Sequence, residues 1–443
     1  LQPFVDSSIF KSGALSSIST YYNPIKKNTP LGVLTDAGVF FLSSRFQFKF
    51  MKGLSLLLVL FFSISNLANA FELTPAAEVS ILTCSPGDDF YESYGHSAIR
   101  VKDINQNFDM VFNYGTFSFS EDFMKMFVLG KLRYWLEPES YPNFRYQYDS
   151  ENRSIYEQIL DITPTQKQQL FDYVLNNAKE ENKYYWYDFL YNNCSSKLRD
   201  VIEESTGVEF SEKRTKKSFR ELIDSYNRKA EWYDFGIDLA LGAKIDQRAN
   251  FSEQMFLPDY LMNTLDETLI EGQPLVKVKQ TVLDNGYEFY SEKKLMGTLK
   301  PALFFWVILI LFFLFKLYYK GPNNPLFSVF FLTIMGLSGW FLLFLWLGTD
   351  HGATKWNLNI LWAIPLHFPM AFFLLKKDKP RWVAQYFFFA RVVLITTLML
   401  WPFLPQQFHI AILPIILISL LCISSNIPIS MKDYQKEEKL NGK

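Results

Sequence analysis

The chain has 443 residues, of which 44 are Lys or Arg and 45 are Asp or Glu, for a formal net charge of −1; 49% of side chains are hydrophobic and 44 are Phe. The first 70 residues hold six Lys/Arg and two Asp/Glu, so the remainder is more acidic still, and the charge pattern excludes the basic footprint of a nucleic-acid binder. Three cysteines are too few for a disulfide scaffold, and long apolar runs lie only after position 300.

Residues 1–50 match no domain pattern and read as upstream read-through. Met51 and Lys52 precede an apolar run at 54–64, then Asn66-Leu67-Ala68-Asn69-Ala70. A short positive region, an apolar stretch and an Ala-x-Ala site make residues 51–70 a secretory signal peptide, with Phe71 the first mature residue. Residues 77–84 alternate and are β-rich, residues 85–89 form a turn, and the second half of 91–101 is another strand. A third strand at 110–116 completes a meander that sets His96 on a strand edge beside Asn113 or its neighbours.

Residues 118–135 alternate apolar positions (Phe123, Met126, Phe127, Leu129) with Lys125, Lys131 and Arg133. The pattern suits a membrane-surface element, a lid or an ordinary amphipathic cover. Residues 141–156 are aromatic and polar. Thr163-Pro164 opens a helix over 165–182, with Leu170, Val174 and Leu175 on one face. An aromatic segment (Tyr184, Tyr185, Trp186, Tyr187, Phe189) then leads into Tyr191-Asn192-Asn193-Cys194-Ser195-Ser196-Lys197-Leu198-Arg199-Asp200. Asn193 is a helix cap, which places Cys194 at a helix N-terminus. Free N–H groups and the helix dipole there favour thiolate. A buried cysteine that only packs is the alternative. A basic loop at 211–217 leads to helical stretches at 219–226, 233–242 and 258–269 and a strand at 275–283. The reading is a thiol domain over 71–205, a helical annex with a strand over 206–300, a membrane domain over 301–425 and a tail over 426–443.

Apolar runs at 302–319, 326–348, 359–375, 383–404 and 408–425 are each long enough to cross a bilayer. With the soluble domain outside, the connections after the first and third runs are cytoplasmic and carry Lys316, Lys320, Lys376, Lys377, Lys379 and Arg381. The outer connections carry only Lys355. The tail, with Lys432, Lys436, Lys439 and Lys443, returns to the cytoplasm, which an odd number of spans requires.

A base for Cys194 is sought among the four histidines, His96, His351, His367 and His409. His367 and His409 fall in or at the end of spans; His96 and His351 lie on the outer side. His96 shares the soluble domain with Cys194, which gives a thiol–imidazole pair: the base takes the thiol proton and later serves the acceptor. No His-Glu-x-x-His, Cys-x-x-Cys, Gly-Lys-Ser/Thr loop or Gly-x-Ser-x-Gly elbow is present, so no metal and no cofactor are expected.

Tyr94-Gly95-His96-Ser97-Ala98-Ile99-Arg100-Val101, Asn113-Tyr114-Gly115-Thr116-Phe117, and Asn193-Cys194 with Leu198-Arg199-Asp200 resemble the periplasmic domain of Lnb-type lipoprotein N-acyltransferases. Residues 232–242 and 255–261 also fit, as does Thr349-Asp350-His351-Gly352 with Asn357 and Asn359. Ser195-Ser196-Lys197 departs conservatively from an expected Thr-Thr-Arg. The resemblance implies an α+β permuted papain-like (NlpC/P60-like) domain followed by an all-α bundle of five transmembrane helices, in a bacterial inner membrane with the soluble domain periplasmic. It implies acyl transfer from a membrane phospholipid, through a thioester on Cys194, to the N-terminal cysteine amine of a lipoprotein. His96 is then the base, Asn113 or Tyr114 orients it, Asn193 supports the site, and His351 contacts lipid or acceptor or simply sits at the interface. The rival readings are a membrane-tethered NlpC/P60-type peptidase or amidase acting on peptidoglycan, and a non-catalytic envelope sensor or assembly protein.

Overall fold

The first three strands lie where alternation places them: β1 Glu78–Cys84, β2 His96–Asp103 and β3 Phe108–Thr116. Residues 71–227, 231–287, 299–319, 324–428 and 434 are described in this computed structural model. The read-through and signal-peptide segments fall outside them, as does most of the tail. The amphipathic stretch at 118–135 resolves into helix α1, Phe123–Leu129, and the start of β4, Arg133–Ser140. The aromatic–polar stretch becomes α2, Tyr141–Ser150, and β5, Ile155–Leu160. Helix α3, Pro164–Asn177, starts at a capping box between Thr163 and Gln166. β6, Tyr184–Trp186, and α4, Cys194–Thr206, follow.

Next come β7 Arg214–Ser218, α5 Phe219–Asn227, α6 Glu231–Ala240, β8 Arg248–Asn250 and α7 Pro258–Glu267. β9 Leu269–Ile270, β10 Gln273–Pro274 and β11 Val276–Leu283 complete the soluble part. β11 returns to the main sheet and pairs with β5, so that sheet draws strands from both sides of residue 205. Its order is β11-β5-β1-β2-β3-β4-β6, with every pairing antiparallel.

The strand period of two sorts the core into two faces. Val79, Ile81, Ile99 and Val101 meet Leu170, Phe171 and Val174 of α3 and Leu198, Val201 and Ile202 of α4. On the other face Leu82, Cys84, Ala98 and Val111 meet Phe144 and Tyr148 of α2. Each such fully buried large side chain stabilises by about 1.5–3 kcal/mol, so α4 is fixed on the sheet by its own apolar stripe.

The membrane part begins with α8, Leu299–Tyr318, and α9, Leu326–Leu347. The third apolar run is not the continuous helix expected. It holds only a 3-10 turn at Leu358–Leu361, α10 at His367–Ala371 and a second 3-10 turn at Phe372–Leu375. Pro365 and Pro369 remove amide donors and break the ladder there. At Gly336 and Gly339, α9 has no side chain, and the backbone of the broken segment packs into that space at Phe368 and Ala363. α11, Arg381–Leu400, runs on to Phe403 as a third long apolar helix, whereas α12, Ile412–Ser424, has 13 residues. Thirteen residues span about 20 Å, short of the ~30 Å hydrocarbon core.

Soluble and membrane parts belong to one compact unit, Glu72–Lys443. Side-chain amides from the connections after α9 and α11 close the C-terminal end of α6: Asn357 donates to the Leu239 and Ala240 carbonyls, and Gln406 to that of Leu241. Buried Arg220 of α5 pairs with Asp238 of α6 at 2.5 Å and Asp246 at 2.9 Å, and Asp246 accepts the Gln407 amide.

Candidate functional site

Cys194 is the first residue of α4, and its position is set by Asn193. The Asn193 side chain accepts the Ser196 amide at 2.9 Å, and the Ser196 hydroxyl accepts the Asn193 amide at 2.8 Å. The Asn193 Nδ2 donates to the carbonyls of Phe189 and Phe256 at 2.9 and 2.7 Å. With its donors and acceptor occupied, Asn193 holds the helix start in place and does not contact the imidazole.

His96 opens β2 next to the thiol. Its Nε2 hydrogen-bonds Asn113 Oδ1, and Asn113 Nδ2 donates to Glu139 Oε1 at 3.0 Å. This assigns the Asn113 amide: its oxygen faces the imidazole N–H and its nitrogen faces the carboxylate. The second ring nitrogen is left for Cys194, with which His96 is hydrogen-bonded. Gly115 of β3 lies against the pair with φ +96°. A Cβ there would come 3.5 Å from the Cys194 Cβ, 3.8 Å from His96 Cε1 and 4.0 Å from the Tyr185 hydroxyl. Cys194, His96, Gly115 and Tyr185 therefore share one small volume. The Tyr185 hydroxyl is buried beside the Gly115 amide, and its own proton has no acceptor among the described residues.

Burial alone would raise the Cys194 thiol. The His96 charge and hydrogen bond, the Ser97 amide and the Ser195 hydroxyl outweigh it and bring the thiol down to about 7. Burial alone would lower His96, but the adjacent Cys194 and the bonds to Cys194 and Asn113 hold it above the ordinary histidine value. Opposite shifts in two touching groups are what a thiolate–imidazolium pair requires. The arrangement can therefore supply a nucleophilic sulfur and then manage a proton at the same nitrogen.

One family model, described as the Lnb N-terminal periplasmic domain, matches residues 68–228, and a second, the five-helix Lnb transmembrane domain, matches residues 291–434. The chain belongs to the Lnb family. It is a membrane protein with a periplasmic N-terminal part, and the periplasmic match takes in Cys194, His96, Asn113 and Glu139. No curated protein and no solved structure matches the chain.

Of the residues singled out in this Lnb chain, Tyr114 points away from His96. It is buried in the α3–α4 face and its hydroxyl accepts from Asn177 Nδ2 at 2.7 Å. His351 is bound elsewhere: its Nε2 donates to the Phe127 carbonyl of α1 at 2.8 Å. Cys84 is free and buried, and burial raises its thiol. Sequence reasoning missed Glu139, Gly115 and Tyr185. Asn113 pairs with Glu137, so Glu139 lies two residues along on the same face of β4. That signal exists only once the β3–β4 register is known. Lys197 lies over the Tyr185 ring at 5.0 Å.

Among the described residues, Asp234, Asp238 and His409 form one grouping with ligand-like spacing, all within 4.8 Å. Asp238 is already bound to Arg220, and His409 Nδ1 accepts the Ala411 amide at 3.1 Å. Neutral His409 thus carries its proton on Nε2, a donor rather than a ligand. None of these residues is among the groups at the thiol.

Proposed function

We propose that this protein is a lipoprotein N-acyltransferase with a papain-like thiol domain. The observation that carries the reading is the lowered Cys194 thiol paired with His96 in a periplasmic domain joined to the Lnb transmembrane domain. The Cys194 thiolate attacks the acyl carbonyl of a phospholipid ester. The ester C–O bond breaks, His96 gives its proton to the departing lysophospholipid oxygen, and the acyl chain remains as a thioester. The N-terminal amine of a lipoprotein then attacks that carbonyl. His96 accepts the amine proton, the C–S bond breaks, and an amide leaves with the thiolate regenerated. Asn113 orients His96, Glu139 orients Asn113, and Tyr185 donates to the carbonyl oxygen as negative charge develops on it.

Exposing the ~15 methylenes of a long acyl chain to water costs about 12 kcal/mol at ~0.8 each, so the reaction belongs at a bilayer surface. A helical membrane domain packed on the thiol domain supports this over peptidoglycan hydrolysis, which needs no such bundle. The test is mass spectrometry of lipoprotein N-termini, and of Cys194 itself, in cells carrying Cys194→Ala or His96→Ala. Diacylated lipoproteins accumulating in both variants support transfer. Fully acylated lipoproteins in the Cys194→Ala strain, or altered muropeptides with unchanged lipoproteins, overturn it.

A further inference from the structure

Helix α1 has no buried residue, although it is mostly apolar. Phe119 and Met124 are about two-thirds exposed, and Met126 and Val128 are exposed beside them, with Lys125 on the same helix. An exposed apolar crest with a lysine is costly in water and ordinary at a lipid headgroup layer. The connections of α1 say which surface it meets. The Leu129 carbonyl accepts the Asp350 amide at 2.8 Å and the Phe127 carbonyl accepts His351 Nε2. Gly130, at φ +71°, lies so close to the Asp350–His351 backbone that a Cβ there would overlap it. Asp350 is only three residues beyond the end of α9 at Leu347, no more than about 10 Å by chain length. The helix is thus fastened at the level where a long apolar helix leaves the bilayer.

The inner side of the same segment leads to the thiol. Phe123 stacks on Phe117 (5.3 Å), Phe117 on Tyr134 (5.0 Å) and Tyr134 on Tyr187 (4.4 Å). Tyr134 is the cross-strand partner of Tyr185, whose hydroxyl shares one small volume with Cys194, His96 and Gly115. The rings thus lead from the exposed crest to the edge of the thiol site.

We propose that the segment from Phe117 to Leu129 is a wedge seated in the periplasmic leaflet, with the crest among the lipids and the ring stack guiding a phospholipid acyl chain to Cys194. The guiding half rests on the acyltransferase reading; the seating half does not. His351 is a positioning residue in this scheme, holding the wedge to the membrane domain.

The test uses the full chain in nanodiscs of phosphatidylethanolamine and phosphatidylglycerol. In a Cys194→Ser background, an environment-sensitive fluorophore is placed on Met124→Cys, or on Ile104→Cys as control. Ile104 is equally exposed but lies past the far end of β2, ~25 Å from His96. Lipids carrying a nitroxide high on the acyl chain quench the label at 124 several-fold more than at 104; equal quenching overturns the seating. Separately, the double variant Met124→Asp, Met126→Asp loads Cys194 from bilayer phospholipid at least tenfold more slowly. Its iodoacetamide alkylation and its turnover of p-nitrophenyl butyrate, a soluble ester, stay unchanged, which rules out misfolding. Unchanged loading from the bilayer overturns the guiding half. Quenching of the label at 124, together with an unlabelled wild-type protein that never forms a thioester, refutes the acyltransferase reading and the guiding half with it, and leaves the seating upheld.

Discussion

Replacing His96 with Ala removes the cation and the hydrogen bond that hold the Cys194 thiol at about 7 instead of its ordinary 9.0. The folded thiol would then titrate at 9 or above, because burial by itself raises it. Two pKa units change the thiolate fraction about a hundredfold on the acid side of the transition. A more basic thiolate is also the better nucleophile, with a Brønsted slope of ~0.4–0.5. Each remaining thiolate therefore reacts about eightfold faster, and the net loss of alkylation rate near pH 6 is about tenfold. Above about pH 8 the order reverses and the variant reacts faster. The assay is the pH profile of iodoacetamide alkylation of the full chain, read at Cys194 by peptide mass spectrometry. Cys84 and Cys422 are buried and give the background. A wild-type midpoint near 9, or an unchanged midpoint in the His96→Ala protein, refutes the thiolate–imidazolium pair.

Asn113→Ala should raise the same midpoint, because His96 loses the acceptor that favours its charged form, while Tyr114→Phe should leave it in place. Equal effects of the two substitutions would show that Asn113 does not orient the ring. Arg220→Ala leaves Asp238 and Asp246 buried without their cation, a loss of roughly 3–5 kcal/mol by analogy with other broken buried pairs. Thermal unfolding of the detergent-solubilised protein should move down by several degrees, and an unchanged transition would mean that the two carboxylates find other partners.

The amino-acid order alone determined the local features. Alternation located β1 to β3, an Asn before a small polar run located the start of α4 and so placed Cys194 on a helix dipole, and continuous apolar runs located α8, α9 and α11. All of these depend on neighbours within a few residues, through capping, dihedral preference and side-chain period. The third and fifth apolar runs show the limit of that reading. Hydropathy measures transfer to lipid and is indifferent to Pro365 and Pro369, which remove the amides that a continuous helix needs. What joins distant residues was decided only by the folded chain. The β3–β4 register selected Glu139 as the partner of Asn113, and the alternation of β3 sent Tyr114 into the core. The return of β11 to the main sheet and the fastening of α1 to residues 350–351 follow from packing across more than 100 residues. Long-range pairing of this kind is set by which surfaces remain to be buried after local structure has formed, and no single stretch of the chain carries that information.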